Sequence, residues 1–293
     1  MSEVRIAKTF SELLKFNPYH DRLGRFATAD GYATFTIRTK DPKKQHMADM
    51  AIAREKERAA AGASAKPKDE NAFTPAKTKA EAMDYAKNKL GIGYADYGNI
   101  DIDTINHINQ EITELQKKYP ELKEAVSNIA PDNRKGVYAA AGTGYSGKNT
   151  LYIGQGHYGK GIEHLKECYQ NDVDSGYHPQ NTDYKSIIWH EYGHLLAYQH
   201  YKTDMGFKAK DSLGYYDGME YAKKVRGRSF EKAVVRDAAK SLKITQKELK
   251  SRISRYAEKN PAETFAEAFA EFNNSPNPRP ECIAMMKAAG ILK

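Results

Sequence analysis

His190 and His194 lie four residues apart in the run His190-Glu191-Tyr192-Gly193-His194. On a helix that spacing sets both imidazoles on one face, about one turn apart. Two neutral imidazoles so placed can bind one Zn²⁺, each at roughly 2.0–2.1 Å. Glu191 stands next to the first histidine, where a carboxylate can take a proton from a water polarised by the metal rather than bind the ion itself. A five-residue pattern is short, and its flanks give it weight. Ile187, Ile188, Leu195 and Leu196 make the segment read as a buried helix, and Asn181, Thr182 or Asp183 could cap its start. Two histidines and a glutamate inside an apolar helix fit a metal site better than a solvated surface.

A catalytic zinc usually has three protein ligands and an open position, and two residues could supply the third. His200 extends the run to HExxHxxAxxH, the spacing of a metzincin's third histidine, with Ala197 where that family has a glycine. If the helix simply continues, His200 falls about 15 Å along the axis from His190 and roughly 80° round it, out of reach of the same ion. The other candidate is Glu263, which follows Asn260 and Pro261, the N-cap and first residue of a further helix. A glutamate there is also where a capping-box carboxylate belongs. Yet Glu263, Glu267 and Glu271 recur every fourth residue among alanines and phenylalanines, with no Lys or Arg between them. Like charges at that spacing repel, and buried carboxylates need a cation or a proton. A zinc ion and a histidine would supply both.

The motif HEYGH, followed by Tyr256-Ala-Glu-Lys-Asn-Pro-Ala-Glu263-Thr-Phe-Ala-Glu267-Ala-Phe, resembles the catalytic centre of zinc metallopeptidases of the anthrax lethal factor type, a gluzincin group. The resemblance spans residues 135–275 in arrangement and is specific at these two motifs. It implies Zn²⁺ held by His190, His194 and Glu263, with Glu267 in an outer shell and Tyr256 stabilising the transition state. Thr264 stands where the family often has an aromatic residue, a departure that leaves the ligands untouched. The implied chemistry is hydrolysis of a peptide bond with Glu191 as general base. The implied fold is α+β and zincin-like: a small sheet, an HExxH helix and a following glutamate helix.

The chain has 293 residues, enough for one or two domains with a sizeable core. Its mean hydropathy of -0.77 is that of a polar protein. No run approaches the roughly 18 apolar residues that cross a bilayer, and no leader-like apolar stretch opens the chain. The expectation is a cytoplasmic or phage virion-associated protein, without membrane contact. Two cysteines, Cys168 and Cys282, are too few for a disulfide framework, and neither has a partner at zinc-knuckle spacing. The net charge of +8 permits an acidic partner. Its basic residues are interspersed with acids, however, and the densest run, 223–232, reads as a solvated loop, so nucleic acid is not the expected partner. A protein or peptide substrate is.

Residues 1–75 read as a basic, mostly extended segment ending in a linker, and 76–293 as the catalytic domain. A turn-rich stretch at 16–27 precedes a short β-like run at 32–37, a charged helix at 45–60 and an Ala/Lys/Pro/Gly linker at 61–78. The stretch FNPYHDRLGRFA at 16–27 is similar to a module of phage head and portal-associated proteins, which implies phage structural proteins as partners. An alternative therefore stands: a tethering protein of the virion whose zincin domain is weakly active or inactive. Retention of Glu191 and Tyr256 speaks for activity.

Beyond the linker, helices are expected at 79–90, 102–118 and 120–129, and strands at 136–140 and 150–154. The glycine run from Gly142 to Lys148 approaches a phosphate-loop spacing but has Asn149 in place of Ser/Thr, and reads as a hairpin turn. The strand at 150–154 precedes the HExxH helix, where a zincin presents an edge to an extended peptide. An irregular insertion is expected at 201–229, then helices at 230–241 and 245–256. Strands before a run of helices suit an α+β domain.

Overall fold

In the computed structural model the chain divides into two units, Met1–Ala72 and Phe73–Lys293. The structure describes residues 73–292, so the readings at 16–27, 32–37 and 45–60 lie outside the described residues. The end of the expected linker is folded. Phe73 sets its ring edge-on to Tyr85 at 5.2 Å, and the backbone N–H and C=O of Ala76 both bond the Asn106 side chain.

A mixed sheet and a larger set of helices make up an α+β architecture. Helix α1 (Lys79–Asn88) leads to β1 (Tyr94–Ala95) and then α2 (Ile102–Lys118). Asp101 caps α2 by accepting the Thr104 N–H at 2.9 Å. Ile105, Ile108, Ile112 and Leu115 form its buried stripe at helical spacing.

The helix expected at 120–129 is absent. One 3₁₀ turn (Pro120–Leu122) is followed by β2 (Asn128–Asp132). Leu122, Ala125, Val126 and Ile129 are all buried, and their spacing imitates a helix face. Pro131 biases only Ala130 towards extended backbone, and it is pairing on both sides that makes 128–132 a strand. Strands β3 (Ala139–Thr143) and β4 (Asn149–Gly154) form an antiparallel hairpin whose turn includes Gly147 at φ 70. The sheet order is β1-β2-β4-β3, with β1, β2 and β4 parallel. Two readings are corrected here. The first strand of the hairpin starts three residues later than its β-branched and aromatic residues suggested, because the register Ala139↔Ile153 is set by the turn. The strand at 150–154 is not an edge, because β4 is hydrogen-bonded on both sides and β3 lies outside it.

Two short connections then carry α3 (Gln155–Tyr158) and α4 (Ile162–Asp174). The long helix α5 (Ser186–Asp204) follows without a side-chain cap. Asp183 organises the turn before it instead, accepting from Lys185 N–H with its carboxylate and from Ser186 N–H with its carbonyl. The stretch at 201–229 is less irregular than its glycines suggested, since α6 (Tyr215–Gly227) occupies much of it. Gly218 sits inside that helix because a Cβ there would meet the Tyr145 carbonyl oxygen at 2.2 Å. Helices α7 (Ser229–Leu242), α8 (Gln246–Ile253), α9 (Pro261–Asn274) and α10 (Pro280–Ala288) complete the fold. Thr245 and Glu248 form a reciprocal capping box on α8. No helix among the described residues is long and apolar enough to cross a membrane.

Candidate metal centre and catalytic groups

Helices α5 and α9 meet at Gly193. A Cβ at that position would lie 2.9 Å from the Ala266 Cα, so only glycine lets the two backbones come this close. Asn260 caps α9 by accepting the N–H groups of Ala262 and Glu263. Buried Phe265, Ala266, Phe269 and Ala270 then seat α9 in the core. The first turn of α9 is thereby aimed at His190 and His194.

His190 Nε2 and His194 Nε2 lie 3.2 Å apart. Glu263 Oε2 is 3.1 Å from the first and 3.2 Å from the second. Glu263 therefore does not fold back on its own N-cap; its carboxylate belongs to the two imidazoles. The three form one of the groups able to hold a metal ion. Four donors round a zinc ion at roughly 2.0–2.1 Å stand about 3.3 Å from one another. The observed triangle has that size, so the residues fit a tetrahedral zinc with one position open. Burial alone would raise the Glu263 pKa, but hydrogen bonds from His190 and His194 outweigh it and hold the carboxyl far below the usual range.

Glu267, one turn further along α9, supports this triangle from behind. Its Oε1 lies 2.8 Å from His190 Nδ1 and 3.2 Å from His178 Nδ1. Ser254 Oγ donates to its Oε2 at 2.8 Å. Despite complete burial, which favours the neutral acid, the two histidines keep its pKa down at about 2. Such an outer partner fixes the orientation of a liganding ring.

Glu191 points the other way, towards the sheet. Its Oε2 accepts the N–H of Ala141 on the edge strand β3 at 2.5 Å. Burial is the main reason that its pKa is raised. Tyr256 lies in the turn between α8 and α9, pinned by its N–H to the Tyr177 carbonyl at 3.0 Å. Its ring centroid is 5.6 Å from that of His190, and Lys259 Nζ sits 3.9 Å over its ring. Burial first, then Glu263 and Glu191, push the Tyr256 pKa up, so its hydroxyl stays a donor.

His200 is elsewhere. Helix α5 runs unbroken to Asp204, and the His200 ring packs against Phe230 at 4.2 Å. Glu271, the third carboxylate of the stripe, has a cation of its own, since Arg279 Nη2 lies 2.5 Å from its Oε2. Sequence reading missed His178, Ser254 and the Ala141 N–H, which come from loops and backbone and carry no spacing signal. It saw no partner for Cys168 at zinc-knuckle spacing, and the structure sets its Sγ 3.4 Å from His164 Nε2.

Compared with protein-family models, with curated proteins and with solved structures, the chain matches none of them.

Proposed function

We propose that this chain is a zinc-dependent peptidase with a zincin-like catalytic domain of the lethal factor type. The observation that carries the reading is the donor triangle of His190, His194 and Glu263, with Glu191, next to His190 in the chain, held by the Ala141 N–H of the edge strand β3. A zinc ion held by the triangle would supply a Lewis acid that polarises both the attacking water and the scissile carbonyl.

Glu191 takes one proton from the attacking water as its oxygen adds to the carbonyl carbon. It then delivers that proton to the amine nitrogen as the C–N bond breaks. A carboxylate whose pKa is raised by burial suits both halves of that transfer. The Tyr256 hydroxyl donates a hydrogen bond to the oxyanion, and Glu267 and His178 hold the His190 ring in place. The substrate would lie extended along β3. Residues two apart on a strand present their backbone groups to the same side, so Ala139 and Thr143 face the way Ala141 does and would pair with a peptide.

Glu191→Gln tests the reading. It should keep its zinc and lose hydrolysis by several orders of magnitude, because the base is removed and no ligand is. Equal cleavage of a peptide library by the wild type and Glu191→Gln would refute the peptidase assignment.

A further inference from the structure

His157, His164 and Cys168 stand on α3 and α4, not on the helices α5 and α9 of the centre just described. We propose that these three side chains form a second metal site, which takes zinc through two imidazoles and one thiolate. One ligand atom from each residue lies within 4.8 Å of the other two.

Three observations support it. His164 and Cys168 are four apart on α4, so they share a face, and Cys168 Sγ is 3.4 Å from His164 Nε2. A tetrahedral zinc with one sulfur and one nitrogen ligand sets those two atoms about 3.5 Å apart. By itself this pair could be a local thiol–imidazole contact. The third donor, however, comes from a different element: His157 reaches in from α3, its ring stacked on His164 with centroids 5.9 Å apart. His157 Nδ1 is also sealed from solvent and, among the described residues, has no hydrogen-bond partner, so a buried polar atom is left unsatisfied at the site.

The surroundings hold the donors in place. Tyr138 packs on the His157 ring at 4.2 Å, and its hydroxyl donates to Asp172 Oδ2 at 2.8 Å. All three donor residues are half-buried, which leaves one side for a water or a small anion as fourth ligand. Thiolate and imidazole together favour zinc or copper over magnesium and calcium. Binding converts the Cys168 thiol to a thiolate and releases its proton to solvent. The ion would fasten α3 to α4, where β4 hands over to the helices. This inference does not depend on peptidase activity.

The test uses the full chain, loaded with Zn²⁺ for stoichiometry and with Co²⁺ for spectroscopy. The donor triangle on α5 and α9 has no sulfur, so a thiolate-to-cobalt charge-transfer band in the near ultraviolet reports only a cysteine ligand. The expected result is about two zinc ions per wild-type chain, and about one each in Cys168→Ser and His157→Ala. The cobalt band should vanish in both variants and persist in Cys282→Ser and in Glu263→Ala. Absence of the band from the wild-type protein would overturn the proposal, as would a zinc count unchanged in Cys168→Ser. A protein that shows the band but cleaves no peptide would retain this site and lose the peptidase reading.

Discussion

Glu263 and Glu271 occupy the same face of α9, two turns apart, and their charges are met in opposite ways. Glu271 is completely buried and has the guanidinium of Arg279 against it, which in turn donates to the carbonyls of Arg252 and Ile253. That carboxylate is closed within the protein: its cation is covalently part of the chain. Among the described residues, the Glu263 carboxylate meets the ring nitrogens of His190 and His194, and its side chain is 19% exposed. Between the two, Glu267 meets two histidines and a serine hydroxyl. One helix thus runs from a self-sufficient ion pair at its C-terminal end to a carboxylate shared by two imidazoles at its N-terminal end. A carboxylate stripe is therefore not one feature. Each member is read by the cation that the fold gives it.

The contrast can be broken most completely at Glu263. Glu263→Ala should lose the zinc of this centre and all measurable hydrolysis, and keep its melting temperature in chelator within a few degrees; full zinc retention there would mean that another residue closes the triangle. Arg279→Leu should do the reverse. Leaving Glu271 buried without its cation costs about 3–5 kcal/mol by denaturant unfolding, while the folded fraction binds zinc as before. Less costly is Tyr256→Phe, expected to lower kcat by about 10²–10³ with KM little changed, as for loss of one oxyanion donor. Steady-state kinetics on the zinc-loaded variant decides it, and an unaltered kcat would remove Tyr256 from the mechanism. Smallest is Gly193→Ala. One methyl group forced against Ala266 should cost about 1–3 kcal/mol and, by pushing α9 away, weaken zinc affinity as well; competition with a chelator measures the second effect.

Much of this centre could be read from the chain because helical spacing converts sequence directly into direction. His190, Glu191 and His194 needed only the periodicity of one helix, whereas Glu263 was picked out by the carboxylate stripe of another and the place of Glu267 by the family resemblance. What could not be read depends on residues that meet by tertiary folding. Arg279 lies eight residues beyond Glu271, past the end of α9, so the stripe looked more deprived of cations than it is. His178 stands in a loop, 89 positions from the carboxylate it serves. The edge strand was misplaced because pairing, not propensity, chooses which strand is outermost. The segment at 120–129 misled for a local reason: its apolar spacing serves a 3₁₀ turn and a parallel strand as well as it would a helix. His164 and Cys168 do carry helical spacing, but His157, the donor that makes them more than a pair, lies on a separate short helix.

The close approach at Gly193 has a consequence for the protein's synthesis. His190 and Glu263 are 73 residues apart in the chain, so a ribosome that has released α5 has delivered both imidazoles and Glu191 without Glu263. The intervening helices must emerge, and α9 must settle on the glycine, before the triangle can close. On the proposed reading, metal capture would mark the end of maturation, and a truncated product ending before residue 263 would carry the sequence motif without the donor triangle.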